Sequence, residues 1–89
     1  MHIEKMDHIT DDVVAAFERL MPQLTHHSPP PSQEDLLEMA RSGAIFVFLA
    51  RNQDGQIVGT ATLATFRSPT GLHGWIEDVV VDQEARRQG

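Results

Sequence analysis

The stretch Trp75-Ile76-Glu77-Asp78-Val79-Val80-Val81-Asp82-Gln83-Glu84-Ala85-Arg86-Arg87-Gln88-Gly89 decides how this chain is read. An apolar run ends in an acidic turn, and a basic, glycine-containing segment follows where a helix could begin. A helix N-terminus offers free backbone N–H groups and about half a positive charge, so such a junction suits an anion. Glycine there lets the backbone approach phosphate oxygens closely. A solvated turn carrying charged side chains accounts for the same residues, and the junction alone leaves both readings open.

Upstream of Trp75 the pattern has period two, which marks strands. Ile45 to Arg51 reads as a buried strand, Asn52-Gln53-Asp54-Gly55 as a turn, and Gln56 to Arg67 as the returning strand of a hairpin. In that second strand Ile57, Gly59, Ala61, Leu63 and Thr65 face one way, and Val58, Thr60, Thr62, Ala64 and Phe66 the other. Gly59 suits a bulge or a close approach. Ser68-Pro69-Thr70-Gly71 is a second turn, and His73 to Val81 is the last strand. Its Val79-Val80-Val81 run implies cover on both faces.

Further upstream the period lengthens. Val13, Val14, Phe17, Leu20, Met21 and Leu24 recur at three- and four-residue steps, predicting a helix over residues 11–24 with Thr10 or Asp11 as cap. Pro22 should end or kink it. Thr25 to Pro31 is a loop stiffened by Pro29-Pro30-Pro31. Ser32-Gln33-Glu34-Asp35 is a capping box with Asp in the usual Glu or Gln position, opening a helix over residues 33–42 that Gly43 would close in the left-handed conformation. Residues 2–7 read as a first edge strand. The order is strand, helix, helix, then a three-stranded antiparallel meander, an α+β fold with one helix pair on one face of the sheet.

Bulk properties narrow the function classes. The 89 residues make one small domain or part of a larger one, with 40% hydrophobic and 22% charged content typical of globular proteins. A net charge of -6 disfavours nucleic acid, whose binding relies on clustered Lys and Arg. The absence of cysteine removes disulfides, Cys-ligated zinc and thiol nucleophiles, and the apolar runs are too short to cross a bilayer. His2, His8 and His73 have no shared metal-ligand spacing, and no metal site is expected. With no secretory leader, the expected location is cytoplasmic.

An apolar strand ending in Val81-Asp82, a spacer and then Arg86-Arg87-Gln88-Gly89 resembles the start of the acetyl-CoA signature of the GNAT superfamily of N-acetyltransferases. The Ile76 to Val81 wording is similar to that of glucosamine-6-phosphate N-acetyltransferases, and the upstream order of elements also resembles the family's first half. The resemblance implies a mixed α/β GNAT-like sheet. It also implies that residues 1–89 form a single partial domain, truncated before the cofactor helix and weak or inactive alone.

The roles it implies are specific. Backbone groups of Val79, Val80 and Val81 would bind the pantetheine arm of acetyl-CoA, and Arg86, Arg87, Gln88 and Gly89 would begin the pyrophosphate cradle. Glu77 would be the catalytic carboxylate and Asp78 a substrate-binding one, for a small-molecule or peptide amine. A carboxylate is reasonable there because attack on a thioester needs a neutral amine. An amine of pKa about 10.4 is neutral in about one molecule in a few thousand at pH 7. Adjacent strand positions point to opposite faces, so at most one of Glu77 and Asp78 should enter the cleft. The family often uses a Tyr as general acid, and this chain has none. His26 and His27 fall in the loop that closes over the acceptor in this family, and Trp75 is packing or a brace for the acceptor. The exposed edge of the last strand invites a homo-oligomer. A non-catalytic binding or dimerisation module is the alternative.

Overall fold

Alternating side chains from Ile45 onward and two apolar helical stripes before it fold into four strands and three helices in a computed structural model that describes residues 1–86. The elements are β1 (His2–Lys5), α1 (Asp11–Leu24), α2 (Gln33–Arg41), β2 (Ile45–Arg51), β3 (Ile57–Ser68), β4 (Gly71–Val81) and α3 (Gln83–Arg86). The strands form one antiparallel sheet in the order β1-β2-β3-β4. The α+β class and the element order match the sequence reading, with α3 added where a plain turn was expected.

The stripe of α1 buries Val13, Ala16, Phe17 and Leu20, and α2 buries Leu36, against Val47, Leu49, Ile57 and Val80 of the sheet. Each large side chain so buried contributes about 1.5–3 kcal/mol. β1 is shorter than expected, but the Met6 amide still donates to the Val47 carbonyl and its side chain is buried. No helix among the described residues is long and apolar enough to cross a membrane.

Helix ends differ from expectation in instructive ways. The hydroxyl of Thr10 caps no backbone amide and bonds instead to the Asp12 carboxylate. Pro22 neither ends nor breaks α1. It sits in the last turn, and the Thr25 amide closes the helix onto the Met21 carbonyl. The capping box at Ser32 forms as read: the Ser32 amide donates to Asp35 Oδ2 (3.0 Å) and the Asp35 amide to Ser32 Oγ (3.1 Å). Gly43 does not take the left-handed conformation; among the described residues the positive-φ glycines are Gly55 and Gly71. Ser42 makes it unnecessary, because its hydroxyl accepts from both the Ala44 and Ile45 amides.

Two irregularities break the sheet's alternation. Ala50 pairs with Gly59 but Arg51 with Ile57, so β3 carries an extra residue at Val58. Ile57 thereby leaves the expected Gly59–Ala61 face and joins the helix-side core. The second lies between Thr60, paired with Val80, and Thr62, paired with Glu77. Two steps along β3 match three along β4, and within the bulge Asp78 has φ 52.

Among the described residues the valine run is covered on one face only, so the second cover that its sequence asks for is not supplied by them. Val80 is 6% exposed, whereas Val79 and Val81 are 54% and 41% exposed. β4 is an edge strand with helices on one side, so alternate side chains stay open.

Candidate active site

A cavity of about 390 Å³ lies where the end of α1, the proline loop, the start of α2 and strands β3 and β4 converge. Phe17, Met21 and Met39 form apolar wall, reaching it as the continuation of the stripes that build the core. Pro29 and Pro31 bring the stiff loop against the opening together with Thr25 and Ser28. Thr60 and Thr62 of β3 form its sheet side, and its charged groups are Asp35 and Asp78.

Each carboxylate arrives by a different device. Asp35 stands in the first turn of α2, held by its bonds to Ser32; those bonds, led by the Ser32 amide, keep its pKa below the ordinary carboxylate value. Asp78 reaches the cavity through the bulge. A left-handed φ is uncommon outside glycine, and Asp tolerates it better than most residues. Such outliers concentrate where function holds them.

The bulge also changes the relation of Asp78 to Glu77. Cross-strand partners share a face, and Glu77 pairs with Thr62, which lines the cavity. Glu77 therefore stands on the cavity side of the sheet, at its exposed rim, while Asp78 lines the cavity. Of the two, only Asp78 is among the residues lining the cavity, in line with the expectation of at most one, although the bulge and not plain alternation sets the arrangement and leaves Glu77 on the same side of the sheet. Glu77 is itself oriented: its Oε1 accepts a hydrogen bond from Nε1 of Trp75, whose ring is exposed.

Beside this cavity runs the open edge of β4. The Asp82 amide donates to the Val58 carbonyl (2.7 Å), so by alternation the N–H and C=O of Val81 turn away from β3 toward the edge. Strand β4 approaches β3 closely here, and a Cβ placed on Gly59 would stand 3.2 Å from the Val80 carbonyl oxygen.

The corner from β4 into α3 is held by α1. Arg19 Nε donates to Asp82 Oδ2 (3.2 Å), Arg19 also bonds the Ile57 carbonyl, and Gln23 Oε1 accepts from the Gln83 amide (2.8 Å). Asp82 in turn accepts from the Glu84 amide and, through its carbonyl, from the Arg86 amide. No motif singles out Arg19 and Gln23 in the sequence, although their four-residue spacing on the polar face of α1 marks one shared direction. Arg86 is exposed at the end of α3. Arg87, Gln88 and Gly89 lie outside the described residues.

His26 and His27 are not buried on the loop and do not line the cavity. Met21, read as part of the α1 stripe, and Met39 of α2 are not fully buried and form its wall. Among the described residues no three His, Asp or Glu side chains gather as a metal-binding group.

Over residues 10–89 the chain matches the acetyltransferase (GNAT) family. No curated protein sequence matches it. Among solved structures it is similar to an acetyltransferase of Trypanosoma brucei, at 30% identity and TM-score 0.66, covering 99% of this chain and 66% of that one. It is also similar to a glucosamine-6-phosphate N-acetyltransferase from Arabidopsis thaliana, at 23% identity and TM-score 0.73, with 99% and 65% covered. An aminoglycoside acetyltransferase from an uncultured soil metagenomic sample, in complex with sisomicin, aligns at 22% identity and TM-score 0.70, with 99% and 60% covered. The chain thus spans just under two thirds of the length of these proteins. The match takes in all three helices, the whole meander and the β4 bulge, and it establishes that the chain belongs to the acetyltransferase (GNAT) family.

Proposed function

We propose that the full chain transfers an acetyl group from acetyl-CoA to a primary amine bound in the cavity between α1, α2 and the β3–β4 pair. The observation that carries this reading is the bulge at Asp78, which brings a carboxylate into the cavity directly beside an open strand edge.

The residues present suit the cosubstrate. An extended chain with its own amides can add to a free strand edge as if it were another strand, and the outward N–H and C=O of Val81 offer that pairing. Val79, Val80 and Val81 are thus assigned to the pantetheine arm. Arg86, Arg87, Gln88 and Gly89 are assigned to the pyrophosphate, in keeping with a basic segment following the Asp82 corner. When bound, acetyl-CoA supplies the thioester carbon that the amine attacks and the thiol that departs.

The chain's own groups handle the acceptor and its proton. Asp78 holds the incoming ammonium in the cavity. Glu77, on the same side of the sheet and positioned by Trp75, accepts the proton that the ammonium must lose, directly or through one water. The neutral nitrogen would then bond to the acetyl carbon as the C–S bond breaks, and its second proton would pass to the departing thiolate, giving the amide and the free thiol. Calorimetry with coenzyme A, together with thiol release from acetyl-CoA in the presence of primary amines, tests the reading. Binding with amine-dependent release supports it; neither binding nor release sinks it.

A second reading rests on exposed apolar residues along the open strand, Ile76, Val79 and Val81. Two copies pairing through β4 would cover them. Native mass measured across concentrations decides this, and a monomer at high concentration ends it.

A further inference from the structure

The chemistry of the cavity wall discriminates among amines, an inference that rests on the proposed acetyl transfer. The charged residues lining it are Asp35 from α2 and Asp78 from β4, and the described lining residues include no Lys, Arg or His. The apolar lining includes Phe17, Met21 and Met39. Methionine side chains are unbranched and polarizable, and they adapt to slender apolar groups. The volume of about 390 Å³ belongs to the range of small-molecule sites.

This combination sorts acceptors by charge. A phosphorylated amine would set its anion against two carboxylates, with no cation among the described lining residues to receive it. A simple monoamine would engage one carboxylate and leave the other facing apolar substrate. Asp35 can serve a ligand while keeping its structural bond, because Ser32 engages Oδ2 and a carboxylate has about four lone-pair sites. Asp78 adjoins the strand edge assigned to the cosubstrate, so it belongs with the reacting amine.

We infer that the acceptor is a short aliphatic diamine or polyamine, its reacting amine held at Asp78, its methylenes against Met21, Met39 and Phe17, and its distal ammonium at Asp35. Asp35 is then a specificity-determining residue rather than only a helix cap.

The test compares 1,4-diaminobutane, butylamine and glucosamine 6-phosphate with the full chain, by thiol release from acetyl-CoA and by calorimetric titration of each amine. The diamine should exceed butylamine by about fivefold in kcat/KM and in affinity, the upper range for a solvent-accessible ion pair. Asp35→Asn should remove that advantage through KM, with kcat little changed. Asparagine retains a side-chain oxygen for the Ser32 amide, so the variant keeps its cap. Equal use of the diamine and butylamine, or preference for the sugar phosphate, overturns the diamine assignment and leaves acetyl transfer standing. If thiol release occurs with none of them, calorimetry decides: a diamine bound no more tightly than butylamine overturns the inference, whereas acetyl transfer itself falls only if coenzyme A also fails to bind.

Discussion

Asp78 stands at φ 52 immediately after Glu77, whose cross-strand partner Thr62 lines the same cavity that Asp78 enters. Consecutive strand residues normally serve opposite faces, and here one left-handed residue lets two carboxylates serve one. A residue other than glycine held in that conformation costs about 1–2 kcal/mol, somewhat less for Asp. Asp78→Gly should therefore leave the melting temperature unchanged or raise it, while acetyl transfer falls at least about tenfold through loss of the ammonium contact. Thermal denaturation and initial rates on one preparation check both halves. A variant that melts higher and works equally well would make the bulge purely structural.

Glu77 carries the proton in the proposed reaction, so Glu77→Gln should lower kcat at neutral pH by about 10² or more, the usual contribution of a positioned base. The deficit should shrink as pH approaches the pKa of the amine, because solvent then delivers the acceptor already neutral. A pH–rate profile from about 6.5 to 10, bracketing the range in which amines lose their proton, gives the comparison between wild type and variant. Equal profiles would remove Glu77 from the mechanism and leave it as the hydrogen-bond partner of Trp75.

What could be read in the sequence follows from how local each feature is. The stripe Val13–Phe17–Leu20 and the Ser32–Asp35 box are encoded within a few residues, and both appear as read. The bulges are legible only in part: Gly59 marks the neighbourhood of the first and the close approach to β4. Nothing between Gln56 and Arg67 distinguishes Val58 as the extra residue, because a bulge exists only relative to the partner strand, and so strict alternation puts Ile57 on the wrong face. Gly43 misleads for a related reason: its neighbour Ser42 supplies the hydrogen bonds that a left-handed glycine would otherwise arrange. Asp35 is visible as a cap, but its place on the cavity depends on how α2 meets β3 and β4, which no local pattern states.

The two acidic residues near the helix starts should give the chain a recognisable acid limb. The Thr10 hydroxyl, then Arg51, hold Asp12 below the ordinary carboxylate pKa, and Ser32 does so for Asp35. A folded pKa below the unfolded one means stabilisation that is present at pH above about 4 and lost as pH falls through the folded value. Wild-type melting temperature should thus be flat from about pH 8 to about 5 and decline below about 4. Thr10→Val removes the hydroxyl bond to Asp12, and Ser32→Ala removes the Ser32 hydroxyl but keeps its amide, so their melting temperatures should lie below wild type at about pH 6, more clearly for Thr10→Val, and approach it near about pH 2.5. Parallel curves across that range would show that these carboxylates do not set the acid limb.

Gly59 offers a test of the sheet beneath the proposed cosubstrate edge. A Cβ there would lie 3.2 Å from the Val80 carbonyl oxygen and 3.7 Å from Ala50 Cβ. The nearest atom belongs to backbone, so relief requires β4 to move by a few tenths of an ångström rather than a side chain to swing aside. Overpacking of this kind costs about 1–3 kcal/mol, and Gly59→Ala should sit at the lower end because one methyl is added. The displaced segment, Val80–Val81, is the one assigned to the pantetheine arm, so affinity for coenzyme A should fall along with stability. Denaturant unfolding and calorimetry with coenzyme A measure the two losses. Reduced stability with unchanged coenzyme A affinity would mean that the cosubstrate does not read this edge of β4.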